Sequence, residues 1–145
     1  MGSALSTHSQ TSTIAAFVAE KVMLNPRTIE YVTTKMGARL RGAYCKMEAF
    51  FTRHDIKFIP AYCGMFVFAR LCETEDLRDE KEFHNCLQSA GVSLSTGTSY
   101  HFKEPGWFRI CYGIQNERLD EGLARIERIL GDFKFQKRNE NSTSN

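Results

Sequence analysis

The chain has 145 residues, 42% of them hydrophobic and 25% charged, with a formal net charge of +2. That length suits one domain with a real core, and so small a net charge argues against nucleic acid or an anionic membrane as partner. No stretch is long enough to span a bilayer and no basic-then-apolar leader opens the chain. Five cysteines without paired spacing fit a reducing compartment, so a cytoplasmic protein with free thiols is expected.

Residues 1–10 are small and polar and read as an extended segment. From Thr11, the apolar positions Ile14, Phe17, Val18 and Val22 form a helical stripe to about Leu24. Asn25 then caps a new helix with Pro26 at its first position, where a missing N–H costs nothing, and Leu24 and Ile29 are placed for a hydrophobic staple. Ile29, Val32, Met36, Leu40, Ala43, Met47 and Phe50 recur at three and four residues, predicting a long helix to about His54. Gly37 and Gly42 inside that helix predict close packing at both points.

Lys57–Ile59 and Met65–Leu71 read as strands, separated by Pro60 and Gly64. The second is apolar on both faces except for Arg70, as a central strand would be. A helix over Asp79–Ala90 carries Phe83 and Leu87, and short strands are expected at 91–95 and 107–113. Asn116 opens a last helix with Leu119, Leu123, Ile126 and Leu130 on one face. From Lys134 the composition turns polar, so 134–145 reads as a disordered tail after a domain spanning 11–133. The order α-α-β-β-α-β-β-α predicts an α+β fold, a small, mostly antiparallel sheet packed by helices.

Most constellations that carry chemistry are missing: there is no phosphate loop, no dinucleotide fingerprint and no cysteine pair at zinc spacing. His84 and Cys86 lie two apart on a predicted helix and face different ways, so no metal is expected. Cys45, Cys63, Cys72 and Cys111 fall in apolar patterns and read as small core residues. One residue stands out. Arg109 sits inside the apolar run Trp107–Tyr112, where a guanidinium must either snorkel to water or meet an anion.

The segment around it, "STGTSYHFKEPGWFR" (95–109), resembles the C-terminal small domain of fold-type I pyridoxal-phosphate enzymes, in their 1-aminocyclopropane-1-carboxylate synthase-like aminotransferase branch. The likeness rests on Ser95, Gly97 and Ser99, on Tyr100-His101, and on Glu104-Pro105-Gly106-Trp107-Phe108-Arg109 followed by Cys111. Thr96 departs from it, since the family usually has proline there. "YCGMFVFARL" (62–71), the long helix and "ALSTHSQTST" near the start extend the resemblance to about Phe133.

The resemblance implies that Arg109 grips a substrate α-carboxylate, a role for which a guanidinium's two parallel donors suit it. Trp107 would flank it, and Tyr100, His101 and Glu104 would stand near, the last two as candidate proton carriers. It also implies pyridoxal phosphate in full-length relatives but none in this chain alone, because the Schiff-base lysine and its preceding motif are missing; Lys21, Lys35, Lys46, Lys57, Lys81, Lys103 and Lys134 fall elsewhere. Three functions follow. The leading one is a free-standing, cofactor-independent biosynthetic enzyme, such as a cyclase or isomerase, acting on a small-molecule carboxylate. The others are a fragment or split subunit of an aminotransferase, and a non-catalytic interaction domain. Phe17, Met36, Met47, Phe50 and Phe51 cannot all cover one small sheet, so a homodimer is expected to bury the remainder.

Overall fold

A computed structural model describes residues 12–143, with side chains to Phe133; the expected extended segment 1–10 lies outside the described residues. The chain divides into two compact units, to Arg39 and from Leu40.

In the first unit, helix α1 (Thr13–Val18) runs into a π-helical stretch, Ala19–Met23. Helix α2 (Pro26–Glu30) starts as expected, with Pro26 at its first position and the Asn25 side chain accepting the Arg27 amide at 3.0 Å. It too runs into π turns, Tyr31–Met36. There the Thr33 hydroxyl bonds the carbonyls of Ile29 and Glu30, and the Thr34 hydroxyl that of Glu30. Hydroxyls that occupy carbonyls wanted by the α-helical ladder distort it, which accounts for the widened turns. The apolar stripe is not covered: Ile14, Phe17, Met23 and Leu24 are 60–76% exposed.

The second unit holds helix α3 (Gly37–Arg53) from Leu40 onward, helices α4 (Leu77–Ser89) and α5 (Asn116–Thr143) and strands β1 (Phe58–Ile59), β2 (Phe66–Arg70), β3 (Ser95–Thr96) and β4 (Trp107–Cys111). The sheet is antiparallel throughout, in the order β1-β2-β4-β3. Alternation along the two central strands sends Val67, Ala69, Phe108 and Ile110 into one core with Met47, Phe50 and Phe51 of α3, Phe83 and Leu87 of α4, and Leu119, Ile126 and Leu130 of α5. Each large side chain buried this way contributes about 1.5–3 kcal/mol of transfer free energy, which outweighs the exposed pairs Lys46–Asp120 (2.8 Å) and His54–Glu127 (3.1 Å) between α3 and α5.

Several expectations need correction. A Cβ added at Gly37 or Gly42 would meet nothing within 4 Å, so neither glycine marks a close approach. Cys45 and Cys63 are exposed and only Cys72 is fully buried, because short turns and the outer face of α3 carry the other two. The strand expected at 91–95 shrinks to Ser95–Thr96. The Val92 amide instead bonds the Leu87 carbonyl at the end of α4, and the Leu94 carbonyl meets the His84 ring at 2.9 Å. The backbone of α5 continues through Thr143, across the stretch read as disordered, where lysine, glutamine, arginine and glutamate are good helix formers.

Candidate functional site

The face of the sheet opposite the core is aromatic and carries two arginines, Arg70, which donates to the Thr74 carbonyl at 3.1 Å, and Arg109. Along β4 the alternation that buries Phe108 and Ile110 turns Trp107, Arg109 and Cys111 to the other side, and along β2 it does the same for Phe66, Phe68 and Arg70. The Arg109 guanidinium carbon lies 4.4 Å from the centroid of the Phe66 ring and 4.4 Å from that of Tyr100. Phe66 comes from β2 and Tyr100 from the turn after β3, and β4 runs between those strands, so the rings flank the arginine from both sides. Phe68, directly across from Arg109, stacks on Phe102 at 13° and meets Tyr100 edge-on. Each cation–ring contact is worth about 0.5–2 kcal/mol, so the head group is held firmly without using its N–H groups. The side chain of half-buried Arg109 makes no hydrogen bond or ion pair with any described residue.

The rest of the motif builds the wall around it. A 3-10 turn, Gly97–Tyr100, carries the Tyr100 ring and is capped by His101 in the left-handed region (φ 58°). Gly97 lets the turn pack tightly there, since a Cβ would lie 3.0 Å from the Trp107 Cβ and carbonyl oxygen. Gly106, at φ 85°, passes so close to Cys72 that an added Cβ would sit 1.8 Å from its carbonyl oxygen. Buried Glu80 of α4 receives the Gly106 amide at 2.6 Å on one oxygen and the Thr98 hydroxyl at 2.9 Å on the other.

Of the residues expected at the site, the structure brings Arg109 and Tyr100 together. Trp107 shares their face but packs on Phe102 at 5.0 Å and donates its indole N–H to Glu104 at 3.2 Å; it does not stack on Arg109. Ile110, next to Arg109 on β4, faces the core. Glu104 is thereby tied to the turn as an acceptor for Trp107, and His101 is exposed. Phe66, Phe68 and Glu80 went unnoticed. Phe66 and Phe68 were findable from the two-residue period of β2, and Glu80 from its place three and seven residues before Phe83 and Leu87 on one helical stripe. A separate groove of about 490 Å³ lies between 91–94, Ile110 and α5, and none of the aromatic residues around Arg109 lines it. Among the described residues, no group of three or more His, Cys, Asp or Glu is placed to hold a metal, and no helix is long and apolar enough to cross a membrane.

A model for aminotransferase classes I and II matches residues 2–126. The chain belongs to that aminotransferase family. It is 47% identical over 134 residues to the probable aminotransferase tcpI of Claviceps purpurea, an alignment covering 92% of this chain and 32% of the relative. With the probable aminotransferase aclI of Aspergillus oryzae it shares 34% over 131 residues, 88% of this chain and 31% of that one. The fold resembles Thermus thermophilus aspartate aminotransferase solved with maleate, with a TM-score of 0.71 at 18% identity, over 86% of this chain and 31% of that one. This aminotransferase-family chain therefore spans about a third of the length of the curated relatives it matches.

Relatives of this kind depend on pyridoxal phosphate, which needs a lysine held deprotonated by burial or a nearby cation, and a cradle for its phosphate. The lysines whose side chains are described do not fit it. Lys21, Lys35, Lys46, Lys57, Lys81 and Lys103 are all exposed, and Lys21 and Lys46 are paired with Glu20 and Asp120.

Proposed function

We propose that this chain is the carboxylate-holding part of an aminotransferase site, in which Arg109 grips the α-carboxylate of an amino acid or its keto acid. The observation that carries the reading is the flanking of Arg109 by Phe66 and Tyr100, each 4.4 Å away, with its N–H edge unspent on any described residue. Rings over the faces of a guanidinium leave its donors pointing outward in one plane, the geometry of a bidentate carboxylate pair. Charge-assisted bonds of that kind contribute about 1.5–3 kcal/mol each. What this chain does in the reaction is bind and orient the acid group; the cofactor and its lysine come from the two-thirds of the relatives' length that it does not span.

Two observations favour this part-of-a-site reading over a free-standing, cofactor-independent cyclase or isomerase. Glu104, a proposed proton carrier, is engaged by the Trp107 indole, and His101 is exposed rather than set against Arg109. The helices of residues 12–36 also leave a row of large apolar side chains uncovered, which calls for a protein surface to cover them.

The test is an NMR titration of the full chain with pyruvate and with pyruvamide, following the Arg109 side-chain N–H resonances. Pyruvate should shift them saturably and pyruvamide should not. Equal shifts with acid and amide, or none with pyruvate, would refute the carboxylate assignment.

A further inference from the structure

We infer that Glu80 is a positioning residue for the Arg109 site, holding Tyr100 against the guanidinium from the far side of the loop; this rests on the carboxylate reading of Arg109. Glu80 is only 3% exposed, yet no ion pair with a described cation reaches it. A buried carboxylate in that position needs donors, and both of its oxygens find them on one loop. Oε1 takes the Thr98 hydroxyl at 2.9 Å and Oε2 takes the Gly106 amide at 2.6 Å. Those two donors bracket the loop that matters. Thr98 sits in the 3-10 turn that ends on Tyr100, and Gly106 is the last residue before β4 carries the chain to Arg109.

Of the two rings on Arg109, Phe66 belongs to a central strand paired along its length with β4 and needs no further support. Tyr100 lies beyond the two-residue edge strand β3, which pairs with β4 only through Ser95 and Thr96. Its turn is tied to the sheet by the packing of Tyr100 and Phe102 on Phe68, and to the helix behind it by the side-chain bond of Thr98 to Glu80, with Thr98 and Ser99 also bonded to Thr96. Removing the carboxylate frees the turn, and the second ring leaves the guanidinium.

The test is built on Glu80→Leu, which keeps an apolar filling but removes both acceptors, and on Thr98→Val, which cuts only the tie to the Tyr100 turn. Ile129→Val serves as a control that loosens the core elsewhere. Protons over an aromatic face are shifted upfield, so the Arg109 side-chain signals report the rings directly in the unliganded protein. Glu80→Leu and Thr98→Val should each lose part of that upfield shift and bind pyruvate about tenfold more weakly, the worth of one charge-assisted hydrogen bond. Ile129→Val should change neither. If Glu80→Leu fails to fold, Thr98→Val decides the matter by the same signals. Unchanged Arg109 signals in the folded variants would overturn the inference, as would an equal loss of signal in the control. A wild-type protein that shows the ring shift, loses it in both variants and yet ignores pyruvate would uphold the positioning role and reject the carboxylate reading alone.

Discussion

Gly106→Ala puts a methyl group where the backbone of Cys72 already lies. The added Cβ would stand 1.8 Å from the Cys72 carbonyl oxygen and 2.9 Å from its carbonyl carbon, and neither is the tip of a side chain that can swing away. The turn cannot easily retreat either, because the Gly106 amide is bonded to Glu80 and its carbonyl to the Cys72 amide at 3.3 Å. Two costs add: about 1–2 kcal/mol for alanine in the left-handed region and about 1–3 kcal/mol for forcing an atom into filled space. A loss of about 2–5 kcal/mol should lower the melting temperature by roughly 10–20 °C for a unit of this size. The comparison that gives the number meaning is Gly122→Ala, in the second turn of α5, where an added Cβ meets nothing within 4 Å. That change should stabilise by about 0.5–1 kcal/mol through helix propensity. Calorimetric melts of the two variants beside wild type decide it. If Gly106→Ala melts within a degree or two of wild type, the close approach at Cys72 is not real.

Tyr112 gives an alkaline prediction. Burial, then the charges of Tyr44, Cys63 and Cys111, push its phenol above the usual 10.0. Below pH 10.0 the phenol is protonated in folded and unfolded chains alike; above it the unfolded chain ionises first, so stability falls until the raised folded value is passed. Tyr112→Phe should flatten that slope in melts between about pH 8 and 11, and at neutral pH cost about 1 kcal/mol for the lost bond to the Gly64 carbonyl. Glu104→Gln keeps an acceptor for the Trp107 indole, so pyruvate affinity and melting temperature should both stay close to wild type; a tenfold drop in affinity would return Glu104 to the binding site. The isolated chain should self-associate through the uncovered apolar side chains of residues 12–36, and light scattering showing a monomer at micromolar concentration would contradict that.

The parts of the fold legible in the sequence were those set by local chemistry. The Asn25-Pro26 cap and the three-to-four spacing of Ala43, Met47 and Phe50 needed no tertiary knowledge. The apolar run 107–112 likewise marked Arg109 as the odd residue on a strand. The contacts that make the site were less visible because they join distant segments. Which aromatic meets Arg109 depends on the antiparallel register that sets Phe68 opposite it, and on a turn that swings Tyr100 back, so the adjacent Trp107 was the natural but mistaken choice. Residues 92–94 looked like a strand by composition but give the Val92 amide and the Leu94 carbonyl to α4. Glu80 was hidden in the charged run "ETEDLRDEKE", where one buried carboxylate looks like its solvated neighbours.

The central claim turns on the shape of one side chain, and the pyruvate affinity of Arg109→Lys tests it most directly. Lysine preserves the positive charge but not the planar fork or its fit between two rings. Arg109→Lys should bind pyruvate nearly as poorly as Arg109→Ala, with both variants folded but melting a few degrees below wild type for the lost contacts to Phe66 and Tyr100. An Arg109→Lys protein that keeps wild-type affinity would show that only charge is needed and would contradict the account.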